Sequence, residues 1–147
     1  MNRIALFAGS FDPFTKGHKN IVDRALASLA DEVVIGIGVN AQKQGWQPLE
    51  ERIKAIRAIY AEQPRVKVEA YEGLTTDFAR SIGATFLLRG VRSMKDFEFE
   101  RDMAEVNHRL TGIETVLLFT DPSLACISSS IVRELSSYHQ DVTEFLP

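Results

Sequence analysis

The chain has 147 residues, 45% of them hydrophobic and 25% charged, the length and balance of one globular domain with a sizeable core rather than of two small ones. Seventeen Lys and Arg against twenty Asp and Glu leave a formal charge of −3, which excludes non-specific nucleic-acid binding and requires any anionic ligand to be held by a local cluster. The lone Cys126 rules out an internal disulfide, no apolar run nears the ~20 residues of a membrane span, and no charged-then-apolar leader precedes the first strand, so a cytoplasmic location is expected.

Residues 4–8 form an unbroken apolar run suited to a strand buried on both faces, ended by the turn chemistry of Gly9 and of Asp12 with Pro13. From Gly17 the period changes, and Ile21, Val22, Ala25, Leu26 and Leu29 share one helical face, with Thr15 or Asp12 available as its cap. Residues 33–39 are a second buried, β-branched run, followed by a polar loop over 40–48. Leu49, Ile53, Ile56 and Tyr60 mark a helix that Pro48 opens and whose N-terminal dipole Glu50 and Glu51 complement. Residues 65–71 alternate, Val66, Val68 and Ala70 against Lys67 and Glu69, which reads as a strand near an edge. Leu74, Phe78 and Ile82 set a short helix, and residues 84–88 are a fourth apolar strand delivering Arg89, Gly90, Val91 and Arg92 at its end. The longest helix is expected from Ser93 to a stop at Gly112, with Phe99, Met103, Val106 and Leu110 as one apolar stripe widened by Phe97 and Ala104. Residues 115–119 make a fifth strand, Ile131, Val132, Leu135 and Tyr138 a helix behind a triple-serine start, and residues 141–144 a capping box opening one more.

Strands alternating with helices predict a single α/β domain over residues 1–147, built on a doubly wound five-stranded parallel sheet. Such sheets bind ligands at the carboxyl ends of the strands, where the strand order reverses. Ser10, Lys43, Thr75, Arg89, Arg92 and Ser128 to Ser130 all follow strands and collect on that edge, leaving Arg65 as the main cation at the other. A buried strand feeding a helix start is an anion site, and Ser10 and His18 add two side-chain donors to it. Taken singly, Ser128 to Ser130 are a helix cap with spare serines, Lys43 a solvated lysine and His18 a capping histidine. Arg89 and Arg92 are harder to dismiss, because two guanidiniums at the mouth of a buried strand are costly without an anion to face. His108 and His139 lie far from His18 along the chain, so no metal cage is expected. Neither is there a nucleophile beside a base, since Ser10 lacks a Gly-x-Ser-x-Gly elbow and Cys126 has no adjacent His. Positioning and charge stabilisation, the needs of a direct non-covalent phosphoryl-type transfer, are what remains.

Residues 9–18, Gly-Ser-Phe-Asp-Pro-Phe-Thr-Lys-Gly-His, match ten positions in order of the Gly-(Thr/Ser)-Phe-Asp-Pro-x-(Thr/His)-x-Gly-His signature of the nucleotidylyltransferases. Leu-Arg-Gly-Val-Arg, the acidic-aromatic run 96–100, Ile-Ser-Ser-Ser and the closing Gln-Asp-Val-Thr-Glu-Phe-Leu-Pro resemble the phosphopantetheine adenylyltransferase family, and the likeness covers nearly the whole chain. The resemblance implies a Rossmann-like nucleotidylyltransferase fold and transfer of the adenylyl group of ATP to 4′-phosphopantetheine, giving dephospho-coenzyme A and pyrophosphate. It implies that Ser10, Lys43, Thr75 and Arg89 contact phosphopantetheine, and that His18, Ser10, Lys43 and Arg92 are catalytic. The ATP site it implies comprises Ser10, Phe11, His18, Gly90, Val91, Arg92, Glu100, Leu124, Ala125, Cys126, Ile127, Ser128, Ser129 and Ser130. Mg²⁺ carried by ATP, coenzyme A as a feedback ligand, a homohexamer, and no nucleic-acid or membrane partner complete the expectation. Two alternatives stand beside it: another nucleotidylyltransferase sharing the first motif, or a non-catalytic adenine-nucleotide sensor. The chain departs from its family in having Ser10 for the commoner Thr and Leu124 where a Trp is frequent, and the family generally continues past Phe-Leu-Pro with a further helix.

Overall fold

Two runs apolar enough to shed water on both faces, β1 (Ile4–Gly9) and β2 (Glu32–Gly38), pair in parallel at the middle of the sheet, from Ile4 opposite Glu32 to Gly9 opposite Ile37. The computed structural model describes residues 1–40, 42 and 44–147. β3 (Val66–Tyr71) lies outside β2, while β4 (Phe86–Val91) pairs with the other side of β1 and carries β5 (Glu114–Phe119), so the order is β3-β2-β1-β4-β5 with every pair parallel. The chain winds outward from β1 to β3 and then jumps back to β4, which opens a crevice between the ends of β1 and β4. The alternating strand sits at an edge, as its pattern demands.

The fourth strand differs from its expected bounds. Its pairing with β5 continues through Arg89 opposite Leu117 to Val91 opposite Phe119, so Arg89 and Gly90 lie within the strand and only Arg92 follows it. Ladder hydrogen bonds override the break that an arginine makes in an apolar run.

α1 (Lys16–Ser28) buries Ile21, Val22, Ala25 and Leu26, its three larger side chains contributing roughly 1.5–3 kcal/mol each. Thr15 rather than Asp12 is its cap. Arg65, expected only as a cation at the far edge, donates to the carbonyls of Leu26, Ala30 and Asp31 and so closes the C-terminus of α1. α2 (Leu49–Ile59) has Pro48 at its N-cap, α3 (Thr75–Ser81) follows Leu74, and α4 (Met94–Thr111) runs from the Ser93 cap to Gly112 in the left-handed region at φ 75°. α5 (Ser129–Ser137) is capped by Ser128, whose side chain accepts from the Ile131 amide at 3.1 Å.

One expectation fails. Asp141 does accept from the Thr143 amide at 2.9 Å, but the turn is a 3-10 one that ends at Phe145, because Leu146 precedes Pro147 and takes the extended conformation that proline imposes on its neighbour. The stripe on α4 does not enter the core: Phe99 is 62% exposed, Leu110 55%, Val106 48% and Met103 40%, and the only fully buried residue of this helix is Glu100. Helical periodicity states that a face is apolar, not what covers it.

Candidate active site at the switch point

A cavity of about 360 Å³ occupies the crevice between the ends of β1 and β4. Ser10, Phe11, His18, Arg89, Gly90, Arg92, Glu100, Ile127, Ser128, Ser129 and Ser130, residues spread over the whole chain, line it together. Of the other expected residues, Thr75 lines a neighbouring cavity, and Val91 is buried in β4. Leu124, Ala125 and Cys126 belong to a 3-10 turn and its exit and do not line the cavity. Lys43 lies outside the described residues.

His18 stands at the third position of α1, where a Glu or Gln usually completes a capping box. The Thr15 amide donates to its Nδ1 at 2.9 Å and the His18 amide returns to the Thr15 hydroxyl at 3.4 Å. A ring nitrogen that accepts from an amide carries no proton, so the neutral imidazole holds its hydrogen on Nε2. The rings of Phe11, Phe14 and Phe7 surround it at centroid distances of 5.0, 5.3 and 6.1 Å. Burial among them, then the nearby Arg89 and Arg92 charges, lower its pKa from 6.5 to about 4. His18 is therefore a neutral donor at pH 7.

Phe11 pays for its place in that box with a left-handed backbone at φ 46°, a strain of roughly 1–2 kcal/mol that its 3% exposed ring offsets by burial. Its ring folds back over Gly9, where a β-carbon would meet it at 3.1 Å. The turn carrying Ser10 is held from outside, with Arg52 donating to the Ser10 carbonyl at 2.8 Å, Arg133 to that of Asp12 at 2.7 Å and Ser129 to that of Pro13 at 2.7 Å. The Ser129 hydroxyl is thus committed to the protein. What the start of α5 presents is the amides of its first residues, which no intrahelical carbonyl can satisfy.

Arg89 and Arg92, expected to be costly without an anion to face, each find a carboxylate of the protein itself. Arg89 forks onto Glu100, Nε to Oε2 at 2.9 Å and Nη2 to Oε1 at 2.8 Å, and gives a third bond to the Ala8 carbonyl. Glu100, expected to face ATP, is 7% exposed and engaged by this fork. Asp96 lies 3.6 Å from the Arg92 Nε and also accepts from its amide. Arg89 keeps two of its five N–H groups unused by these bonds. Asp96 and Arg133 are cavity residues the sequence reading missed. Arg133 was findable, standing one turn beyond Ser129 on the same helical face.

A second cavity, about 340 Å³, opens beneath α4 and is mostly apolar, lined among others by Leu6, Leu74, Leu87, Phe99, Met103 and Leu110. Thr75 reaches it with its hydroxyl 2.8 Å from that of Tyr71, whose ring stacks on Phe78 at 4.6 Å. Ala8, Gly9, Arg89 and Glu100 line both cavities and form their seam. Among the described residues no group of three His, Cys, Asp or Glu is placed to hold a metal ion, and no helix is long and apolar enough to cross a membrane.

The cytidylyltransferase-like family model matches residues 6–135. A phosphopantetheine adenylyltransferase of Bacteroides fragilis is 53% identical over 145 residues, 99% of this chain and 96% of the relative. Enzymes of the same name from Phocaeicola vulgatus and Porphyromonas gingivalis are each 55% identical, over 99% and 98% of this chain and 95% and 94% of theirs. Among solved structures, a bifunctional NMN adenylyltransferase/ADP ribose pyrophosphatase of Francisella tularensis complexed with AMP and a manganese ion superposes with a TM-score of 0.72 at 15% identity. That match covers 99% of this chain and 44% of the larger protein, and shows the likeness of fold.

Proposed function

The chain belongs to the phosphopantetheine adenylyltransferase family, and from that membership we propose how its own side chains carry out the transfer. The reaction moves the adenylyl group of ATP to 4′-phosphopantetheine, giving dephospho-coenzyme A and pyrophosphate in coenzyme A synthesis. One observation carries the assignment of sites: a polar cavity holding His18 and the α5 start meets an apolar one along Ala8, Gly9, Arg89 and Glu100. ATP fits the first and the pantetheine arm the second, so their phosphates meet at the seam beside Ser10.

In this reading a terminal oxygen of the phosphopantetheine phosphate attacks the α-phosphorus of ATP in line. The bond to the β-phosphate breaks, and pyrophosphate leaves with its electron pair. A phosphate monoester with a second pKa near ~6 is largely dianionic at neutral pH, so no general base is needed. His18 donates its Nε2 hydrogen to an α-phosphate oxygen, and the Ser10 hydroxyl donates beside it. Arg89, held in place by Glu100, turns its remaining N–H groups to the dianion, with Thr75 on the pantetheine side and Lys43 as a further cation. Arg92, Arg133 and the α5 amides receive the departing pyrophosphate. The free donors of α5 favour this role for its backbone, while Ser129 acts by holding the turn.

The cavity's carboxylates, Glu100 and Asp96, are paired with arginines, which suits a metal ion held by the triphosphate and water rather than by a protein cage. Mg²⁺ on ATP supplies neutralisation of the charge on the leaving group. Coenzyme A, joining the pantetheine and adenylyl portions, fits both cavities as a feedback ligand. The apolar face of α4 borders the pantetheine cavity and is still largely exposed, and we assign the part of it beyond the pantetheine arm to contacts in a homohexamer. A cytoplasmic location accompanies the reading, with Cys126 an exposed thiol.

The test is pyrophosphate release from ATP and Mg²⁺ on adding phosphopantetheine, nicotinamide mononucleotide or nothing. Release with phosphopantetheine alone is expected. Release with the mononucleotide instead, or ATP binding with no release at all, would overturn the reading.

A further inference from the structure

Arg52, in the first turn of α2, lines neither cavity, yet it is 9% exposed and its described side-chain bonds reach across to other segments or to the loop before it. Its Nη1 donates to the Ser10 carbonyl at 2.8 Å, and its Nε to the Gln47 carbonyl at 3.1 Å while standing 3.9 Å from the Asp12 carboxylate. Asp12, 6% exposed, completes the link by accepting from the amides of Trp46 at 2.7 Å and Gln47 at 2.8 Å. The fit is close: a β-carbon on Gly45 would come within 2.9 Å of both the Arg52 Nη2 and the Asp12 Oδ2. One guanidinium and one carboxylate thus cross-link the turn after β1 to the loop after β2.

Resting on the reading above, we propose that Arg52 is a positioning residue for the phosphopantetheine side of the reaction. The turn it grips carries Ser10. The loop it grips carries Lys43, three residues before Trp46 in the sequence. Lys43 is assigned to the attacking phosphate and Ser10 to the point where that phosphate meets the α-phosphorus, whereas the leaving end of ATP is assigned to Arg92 and α5, which Arg52 does not touch. Slack of about 1 Å in the nucleophile's holders costs on the order of 10²-fold in rate. The fork matters as well as the charge, since a lysine ammonium lacks the rigid planar spread of donors with which Arg52 reaches the Ser10 and Gln47 carbonyls together.

The experiment compares wild type with Arg52→Ala and Arg52→Lys by steady-state kinetics, ATP titration and fluorescence. Trp46, the only tryptophan, sits in the gripped loop and reports its order without any turnover. In either variant, kcat/KM for phosphopantetheine is expected to fall at least about tenfold, with ATP Kd within about threefold of wild type. Acrylamide quenching of Trp46 is expected to rise in both, with far-UV circular dichroism unchanged in the lysine variant. A general loss of structure would weaken both substrates together, raising ATP Kd as kcat/KM for phosphopantetheine falls, and so would overturn the proposal. So would unchanged quenching, or a lysine variant with wild-type kinetics, which would reduce Arg52 to a charge partner of Asp12. Absence of turnover in wild type defeats the functional reading instead, and the quenching then still decides whether Arg52 orders the loop.

Discussion

Replacing His18 by Gln separates its two jobs. The wild-type ring accepts the Thr15 amide at Nδ1, and a glutamine at the third helical position does the same with its carbonyl, so the variant keeps the capping box. With that carbonyl on the Thr15 amide, its own N–H groups sit on a flexible carboxamide and leave the fixed position and direction of the imidazole Nε2 donor proposed for the α-phosphate. Loss of one such donor costs roughly 10²–10³-fold in kcat, equivalent to about 3–4 kcal/mol. His18→Ala loses the donor and also the cap, about 1 kcal/mol, together with edge contacts to Phe7 and Phe11 and a tilted one to Phe14. In a chain of this length its Tm should drop by roughly 5–10 °C, and that of His18→Gln by about half as much. Pyrophosphate release at saturating phosphopantetheine measures kcat, titration calorimetry measures ATP Kd, and thermal melts measure stability. A glutamine variant with kcat within about threefold of wild type would make the capping box the whole role of His18. Losses of ATP affinity as large as those in kcat would make it a ground-state ligand.

The same residue links stability to pH. Its pKa is 6.5 unfolded and about 4 folded, so between these values the unfolded chain holds more protons and stability falls as pH drops, by up to about 3 kcal/mol. Urea melts of wild type and His18→Gln at pH 7 and 4.5 should differ by that slope, and equal slopes refute the burial argument. Arg89→Ala should raise KM for phosphopantetheine more than for ATP and lower Tm, because it strands the buried Glu100; adding Glu100→Ala should recover Tm but not KM. A larger effect on ATP reverses the assignment. Ser10→Thr should keep kcat within about tenfold, since a misplaced hydroxyl rotamer costs on the order of 1 kcal/mol, while Ser10→Ala should lose ~10²-fold or more. Equal damage from both would show a pocket shaped against the methyl group. Coenzyme A should raise Tm and compete with at least one substrate, and no shift in a protein that ATP does stabilise counts against the pantetheine cavity.

Local order along the chain determines the five strands, the five α-helices and the turn after β1. Residues 4–8 and 33–39 have no polar face, so burial in the centre of a parallel sheet is forced on them, and the alternation of 65–71 consigns that strand to an edge. The cap of α1 is local too: the spacing offered Thr15 or Asp12, and the structure selects Thr15, with His18 three residues on completing the box. Whatever depends on partners distant in sequence was decided by the tertiary structure. Arg89 meets Glu100 because β4 and α4 pack together, which no property of an arginine after an apolar run discloses. Arg52 joins Ser10 to Gln47 because β1 and β2 end side by side, and Ser129 is drawn from phosphate duty to Pro13, 116 residues away in the chain. The apolar stripe of α4 was legible, and its exposure was not, because a hydrophobic period records the need for cover while only the assembled sheet shows that this chain leaves the face uncovered.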